Sequence, residues 1–185
     1  MRIEKSFRSD REIILRFLDA LGGAAAVLSG NKKASPGFFI FAHTFIQEFV
    51  EENFFKKERL LIDALENNGF PTDEGPVGAM LAEQRKSRKA AEHMLNAAKG
   101  WQDGDEEARG EVGWATSEYT SAMRGHLERL KNLIFPLLEQ NLSPEDEHSI
   151  SEGLNALAFA DSTKGDAEKY ARMIESLEDE LSDWR

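Results

Sequence analysis

Tyr119-Thr-Ser-Ala-Met123-Arg-Gly-His126-Leu-Glu-Arg-Leu130-Lys-Asn-Leu133-Ile-Phe-Pro136-Leu137-Leu138 is the stretch on which the reading of this chain turns. Taken at alternating steps of four and three, it gives Tyr119, Met123, His126, Leu130, Leu133 and Leu137. That is the inward stripe of a long amphipathic helix. His126 is its one polar member. A polar group on such a stripe needs a partner, because burying it without one costs on the order of 1–3 kcal/mol.

The same period runs outward in both directions. Ser9 with Glu12 has the form of a capping box and predicts a first helix to about Ser29. Its stripe is Phe7, Arg11, Ile14, Leu18, Leu21, Ala25 and Leu28, with Gly22-Gly23 predicting a bend or a close helix approach, and Gly30 predicted to end it. Ser35-Pro36 supplies a cap and first-turn pair for a second helix that stops at Asn68-Gly69. Its stripe is Ile46, Val50, Asn53, Lys57, Leu60 and Ala64. A third helix opens at Pro76 and runs to Gly100, with Val77, Met80, Gln84, Ser87, Ala91 and Leu95 on one side. The fourth runs from the Gly- and Asp-rich segment 100–106 to about Asn141, and Pro136 is expected to bend it. Ser143-Pro144 starts a fifth helix to about Ala160, a break at Asp161 to Gly165 follows, and a sixth helix ends near Trp184. The expected fold is all-α: an up-down-up-down four-helix bundle over residues 1–142, with two additional C-terminal helices over 143–185 packed on it as part of one domain.

Composition narrows the function. Among 185 residues, 41% are hydrophobic and 31% charged, a globular balance. The formal net charge of -11 argues against nucleic acid and anionic membrane as partners, since both need concentrated Lys and Arg. Without cysteine there is no disulfide, thiolate site or cysteine nucleophile. No apolar run approaches the roughly 20 residues of a membrane span, and the basic N-terminal residues lack a following apolar segment, so a cytoplasmic protein is expected.

Each stripe is interrupted by a polar residue, and the interruptions fall at similar depths: Arg11, then Asn53 and Lys57, then Gln84, then His126. Arg11 lies seventeen residues before Leu28, and Asn53 seventeen after Pro36. At about 1.5 Å per residue, two antiparallel helices bring them level within about a turn. One polar layer in the bundle interior follows, the place where such folds often hold a metal or cofactor.

Leu60-Leu-Ile-Asp-Ala-Leu-Glu-Asn-Asn-Gly-Phe-Pro-Thr-Asp-Glu-Gly-Pro-Val-Gly-Ala-Met-Leu-Ala-Glu83-Gln84-Arg-Lys-Ser-Arg88 resembles the middle of bacterial hemerythrin-like (HHE cation-binding) proteins. Gly125-His-Leu-Glu-Arg-Leu-Lys-Asn-Leu-Ile-Phe-Pro136 is similar to that family's H-I-x-K-E-x-x-x-L-F-P. The resemblance implies a four-helix bundle around a non-haem di-iron centre, used with dioxygen, peroxide or nitric oxide or for iron sensing. It also implies where the ligands fall. The helix-one histidine falls on Arg11, the helix-two H-x-x-x-E pair on Asn53 and Lys57, and the histidine of an E-H dipeptide on Gln84, with Glu83 kept. The helix-four pair falls on His126, which is kept, and Leu130, where a carboxylate belongs. Amide, ammonium, guanidinium and isobutyl groups do not replace imidazole and carboxylate on iron. The expected chain is therefore a degenerate member without its di-iron site.

No nucleophile with an adjacent base appears, so no catalytic residues are named, no cofactor is expected, and a non-enzymatic binding, regulatory or interaction protein is the preferred reading. Two alternatives stay open: a rearranged iron or oxygen-handling site using His126, Glu83 and Glu58, or a haem or small-molecule site using His126. In the vacated space, a cation from Lys57 or Arg11 held by Asn53, Gln84 and Glu83 is one way to satisfy the centre; snorkelling of both into water is the other. Glu51, Glu52 and Glu58 read as a solvated acidic face. His43 is ten residues, about 15 Å, from Asn53 and cannot share a site with His126. His93 and His148 read as surface residues. Phe38, Phe39, Phe41, Phe45, Phe49, Phe54 and Phe55 serve as core beneath the extra helices, with an apolar pocket or a homo-oligomer or partner face as the alternative.

Overall fold

All regular structure is helical in the computed structural model, which describes residues 2–30, 32–164 and 168–184, and the side chains of all of these except 161–164. Helix α1 spans Arg2–Leu28. Helix α2 covers 36–67 in three consecutive pieces: an α-helical Pro36–Phe45, a π-helical Ile46–Phe54 and an α-helical Phe55–Asn67. Helix α3 is Gly75–Gln102. Helix α4 covers 108–141, as α-helical Ala108–Arg129, π-helical Leu130–Ile134 and α-helical Phe135–Asn141. Helices α5 (Pro144–Lys164) and α6 (Lys169–Trp184) complete the chain. The first four form the bundle; α5 and α6 lie against α1 and α2.

Most helix ends follow local chemistry. The Ser35 hydroxyl accepts from the Gly37 N–H at 3.3 Å, and Pro36 occupies the first turn where its missing N–H costs nothing. Asn68-Gly69 ends α2, with Gly69 in the left-handed region at φ 92°. At the start of α5 the Ser143 hydroxyl accepts from Asp146 N–H while the Asp146 carboxylate accepts from Ser143 N–H, a reciprocal cap. Two expectations fail and a third is narrowed. Helix α1 starts seven residues before Ser9, because Ile3 and Phe7 extend its stripe and are fully buried. Its Gly22 shows no close approach, since a Cβ there would meet nothing within 4 Å. The break after Ala160 is absent as far as Lys164, where α5 is still helical; Gly165 lies outside the described residues.

The two π-helical pieces change the inward face. A π turn closes i→i+5 hydrogen bonds and inserts one residue, seen here as Phe55 N–H on Val50 C=O and Phe135 N–H on Leu130 C=O. Beyond each insertion the buried stripe moves on by one position. In α2 the inward residues are Phe54, Glu58, Leu61 and Leu65, whereas Asn53, Lys57 and Leu60 are only partly buried. In α4 they are Leu130, Ile134 and Leu138, while Leu133 is 39% exposed. The stripe expected through Leu133 and Leu137 is thus corrected. Pro136 follows the second insertion directly; it has no N–H to donate, so the altered bonding there is where a proline fits within a continuous helix.

The aromatic residues of α2 are core. Phe17 stacks on Phe45 with centroids 4.2 Å apart, Phe7 meets Phe54 edge-on at 5.8 Å, and Trp184 and Tyr170 of α6 cover Phe38 and Phe49. Only Phe41 of the group is exposed. Each such ring contributes on the order of 1.5–3 kcal/mol through burial. An ion pair between Arg16 and Glu178 pins α6 to α1 from outside.

Candidate functional site

The shifted register of α2 decides what meets His126. Glu58 is fully buried and presents its carboxylate to the bundle interior, so the expectation of a solvated Glu58 is corrected. Of its expected acidic neighbours, Glu51 instead pairs with Arg88 at 2.9 Å and Glu52 is exposed. From α4, His126 is 1% exposed, with Phe55 edge-on to its ring at 5.8 Å. Its Nε2 lies 2.5 Å from Glu58 Oε1 and its Nδ1 3.4 Å from Glu83 Oε1. Gln84 Nε2 donates to the other Glu58 oxygen at 2.7 Å, and Arg129 Nε donates to Glu83.

Both ring nitrogens facing carboxylates is the arrangement of an imidazolium, which has two N–H donors and no acceptor. Burial alone pushes the His126 imidazole down, but the Glu58 and Glu83 carboxylates outweigh it and raise it from 6.5 to about 10. Burial likewise pushes Glu83 up, and His126 together with Arg129 brings it below the usual carboxylate range. Two cations, His126 and Arg129, balance two anions, Glu58 and Glu83. The cluster is neutral and bonded throughout, which is what a charged group inside a bundle requires.

The other expected site residues form a second cluster. Lys57 Nζ donates to Asp10 Oδ2 at 2.6 Å, and Asn53 Nδ2 donates to the same oxygen at 3.3 Å. Asp10 is buried in α1, in step with Ile3, Phe7, Ile14 and Phe17, and that spacing is the signal by which the sequence reading could have found it. Arg11 sits beside it at the groove edge, with Nη2 3.6 Å from Glu128. Leu130 is buried. The expected cation held by Asn53, Gln84 and Glu83 is therefore corrected: Lys57 goes to Asp10, and His126 takes the place among Glu58, Glu83 and Gln84. The other histidines stand apart. His43 is half-buried and shifted down by burial and by Lys99; His93 packs on Trp114; His148 pairs with Glu152 on the surface.

Iron does not fit this donor set. Only one imidazole faces the centre, and its nitrogens point in opposite directions, each onto a carboxylate. Glu58 and Glu83 thus bracket the ring instead of converging with it on one point. Among the described residues no group of three or more His, Cys, Asp or Glu side chains is arranged to hold a metal ion. No helix among them is long and apolar enough to cross a membrane. Against families of known proteins, the model described as Hemerythrin HHE cation binding domain matches residues 7–138. Neither the curated proteins nor the solved structures give a match.

Proposed function

The chain belongs to the hemerythrin HHE cation-binding domain family, and from that membership we propose that it works without iron, as a binding or regulatory protein whose bundle centre is held by a protonated histidine. The observation that carries this is the clamp on His126: a cation of the protein itself lies between the two carboxylates that in a ligand set would face a metal. In this reading Arg11, Gln84 and Leu130 are degenerate ligand positions, and in the shifted register of α2 the helix-two pair is Phe54 and Glu58 in place of Asn53 and Lys57: a ring hydrocarbon stands at the first position, and the second keeps a carboxylate that is taken up by His126. The haem alternative is disfavoured by the same clamp, since an imidazolium with both N–H groups bonded has no lone pair for an axial position.

The rest of the proposal follows from charge and packing. Residues 1–142 and 143–185 act as one domain, because α6 covers the aromatic stripe of α2. The excess of 34 acidic over 23 basic residues disfavours nucleic acid and anionic membrane, which leaves a protein partner, a second copy or a small ligand for a protein we place in the cytoplasm. Elemental analysis of protein purified from iron-replete cells tests the central point. Substoichiometric iron and manganese are expected; two equivalents of either per chain would overturn it.

A further inference from the structure

Beside the centre, but separate from its hydrogen bonds, a cavity of about 40 Å³ lies between α1 and α4. Its walls combine two chemistries. Phe7, Leu130 and Phe135 are all buried and give it an apolar floor, while Arg8, Arg11 and Lys131 stand around it against a single carboxylate, Glu4. A local excess of positive charge is notable in a chain of net charge -11. Those cations are also poorly used. Among the described residues, Arg8 and Lys131 have no carboxylate within ion-pair distance, and Arg11 reaches only Glu128, at 3.6 Å, on an exposed side chain. Arg11 Nε is buried with no hydrogen-bond partner at all. That nitrogen is closed to solvent, so an anion in the cavity would meet the terminal guanidinium nitrogens of Arg11.

We infer that this cavity is a binding site for a short-chain monocarboxylate, its carboxylate on Arg11 and its alkyl end against Phe7, Leu130 and Phe135. The enclosed volume is small: at roughly 10–15 Å³ for one water, about three water-sized groups fit, so part of such a ligand would lie at the open mouth. An inorganic anion would satisfy the cations and leave the apolar floor uncovered, whereas a neutral alkyl group would leave the guanidinium donor bare. The π-helical turn at Leu130–Ile134 shapes the floor, because it places Leu130 and Phe135 in one wall while keeping Lys131 exposed at the rim. The inference goes beyond the metal-free reading and does not depend on it.

Thermal unfolding of the full chain tests it, with sodium butyrate compared against sodium chloride at equal ionic strength, butyramide, and inorganic phosphate. The expected result is a saturable rise in Tm of a few degrees with butyrate alone. Arg11→Gln should abolish the rise while keeping the helical circular dichroism and cooperative unfolding, and Arg8→Gln should weaken it. Should Arg11→Gln not fold, butyrate titration of the unaltered protein by amide NMR still decides: shifts should cluster at Phe7, Leu130 and Phe135. An equal response to chloride, butyramide or phosphate, a response surviving in folded Arg11→Gln, or shifts located elsewhere would each overturn the proposal.

Discussion

Replacing His126 with phenylalanine removes the cation from the bundle centre while keeping a ring beside Phe55. Glu58, fully buried, would then keep Gln84 as its hydrogen-bond donor and no charge partner. Breaking one half of a buried ion pair costs on the order of 3–5 kcal/mol. The protonation equilibrium gives a comparable figure. Raising the imidazole from 6.5 to about 10, at about 1.4 kcal/mol for each pH unit, corresponds to roughly 5 kcal/mol. Because the folded value lies above the unfolded one, this stabilisation is fully present below about pH 6.5 and is lost as pH rises through about 10. Urea denaturation of both proteins, followed by circular dichroism at half-unit steps from pH 6 to 10, measures it. The gap between them should be several kcal/mol near neutrality and small by pH 10, since charges remote from Glu58 cancel in the difference. Glu58→Leu combined with His126→Phe should recover much of the loss, giving strongly non-additive effects. A gap under about 1 kcal/mol, or one that does not change with pH, would refute the buried imidazolium.

Other expectations concern single positions. Glu83→Gln should destabilise at neutral pH and converge on the parent as the solution is acidified, because a carboxyl held below its usual range stabilises above that range and loses the effect as pH falls through its folded value; parallel urea midpoints down to acid pH would show otherwise. Tyr119→Phe should be neutral or stabilising by about 1 kcal/mol, since the Tyr119 hydroxyl is buried with no partner; a marked fall in Tm would mean that it is bonded in solution. Gly22→Ala should stabilise by up to about 1 kcal/mol in an unobstructed helical position. By contrast, Gly78→Ala should destabilise by roughly 1–3 kcal/mol, as its Cβ would come within 2.9 Å of the Asp73 backbone. Equal shifts in Tm for the two glycine variants would contradict both.

Depth was easier to read from the sequence than direction. Arg11 and Asn53 were expected level, and Asn53 does bond Asp10, the residue next to Arg11. Gln84 was expected level with Lys57, and it bonds Glu58, the residue after Lys57. Each miss is one residue wide, and on α2 the cause is the inserted π residue, which a 3.6-residue period cannot represent. The signal was present all the same: continuing the old period past Val50 puts Asn53 and Lys57 inward and leaves Phe54, Phe55, Leu61 and Leu65 out. The same test on α4 favours Ile134 and Leu138 over Leu133 and Leu137. Caps such as Ser35 and Ser143 were legible because they depend on immediate neighbours alone. Asp10 differs again: its place on the stripe of Ile3, Phe7, Ile14 and Phe17 is legible from the period, whereas its role follows only from the Lys57 partner.

The protonation of His126 is the point from which the rest follows, and ¹⁵N NMR of the imidazole observes it directly. Both ring nitrogens should carry protons at pH 8 in iron-supplemented buffer, with no paramagnetic broadening and no titration near the usual histidine range. A neutral ring titrating close to 6.5, or a resonance lost when iron is added, would contradict a protein cation in the metal's place.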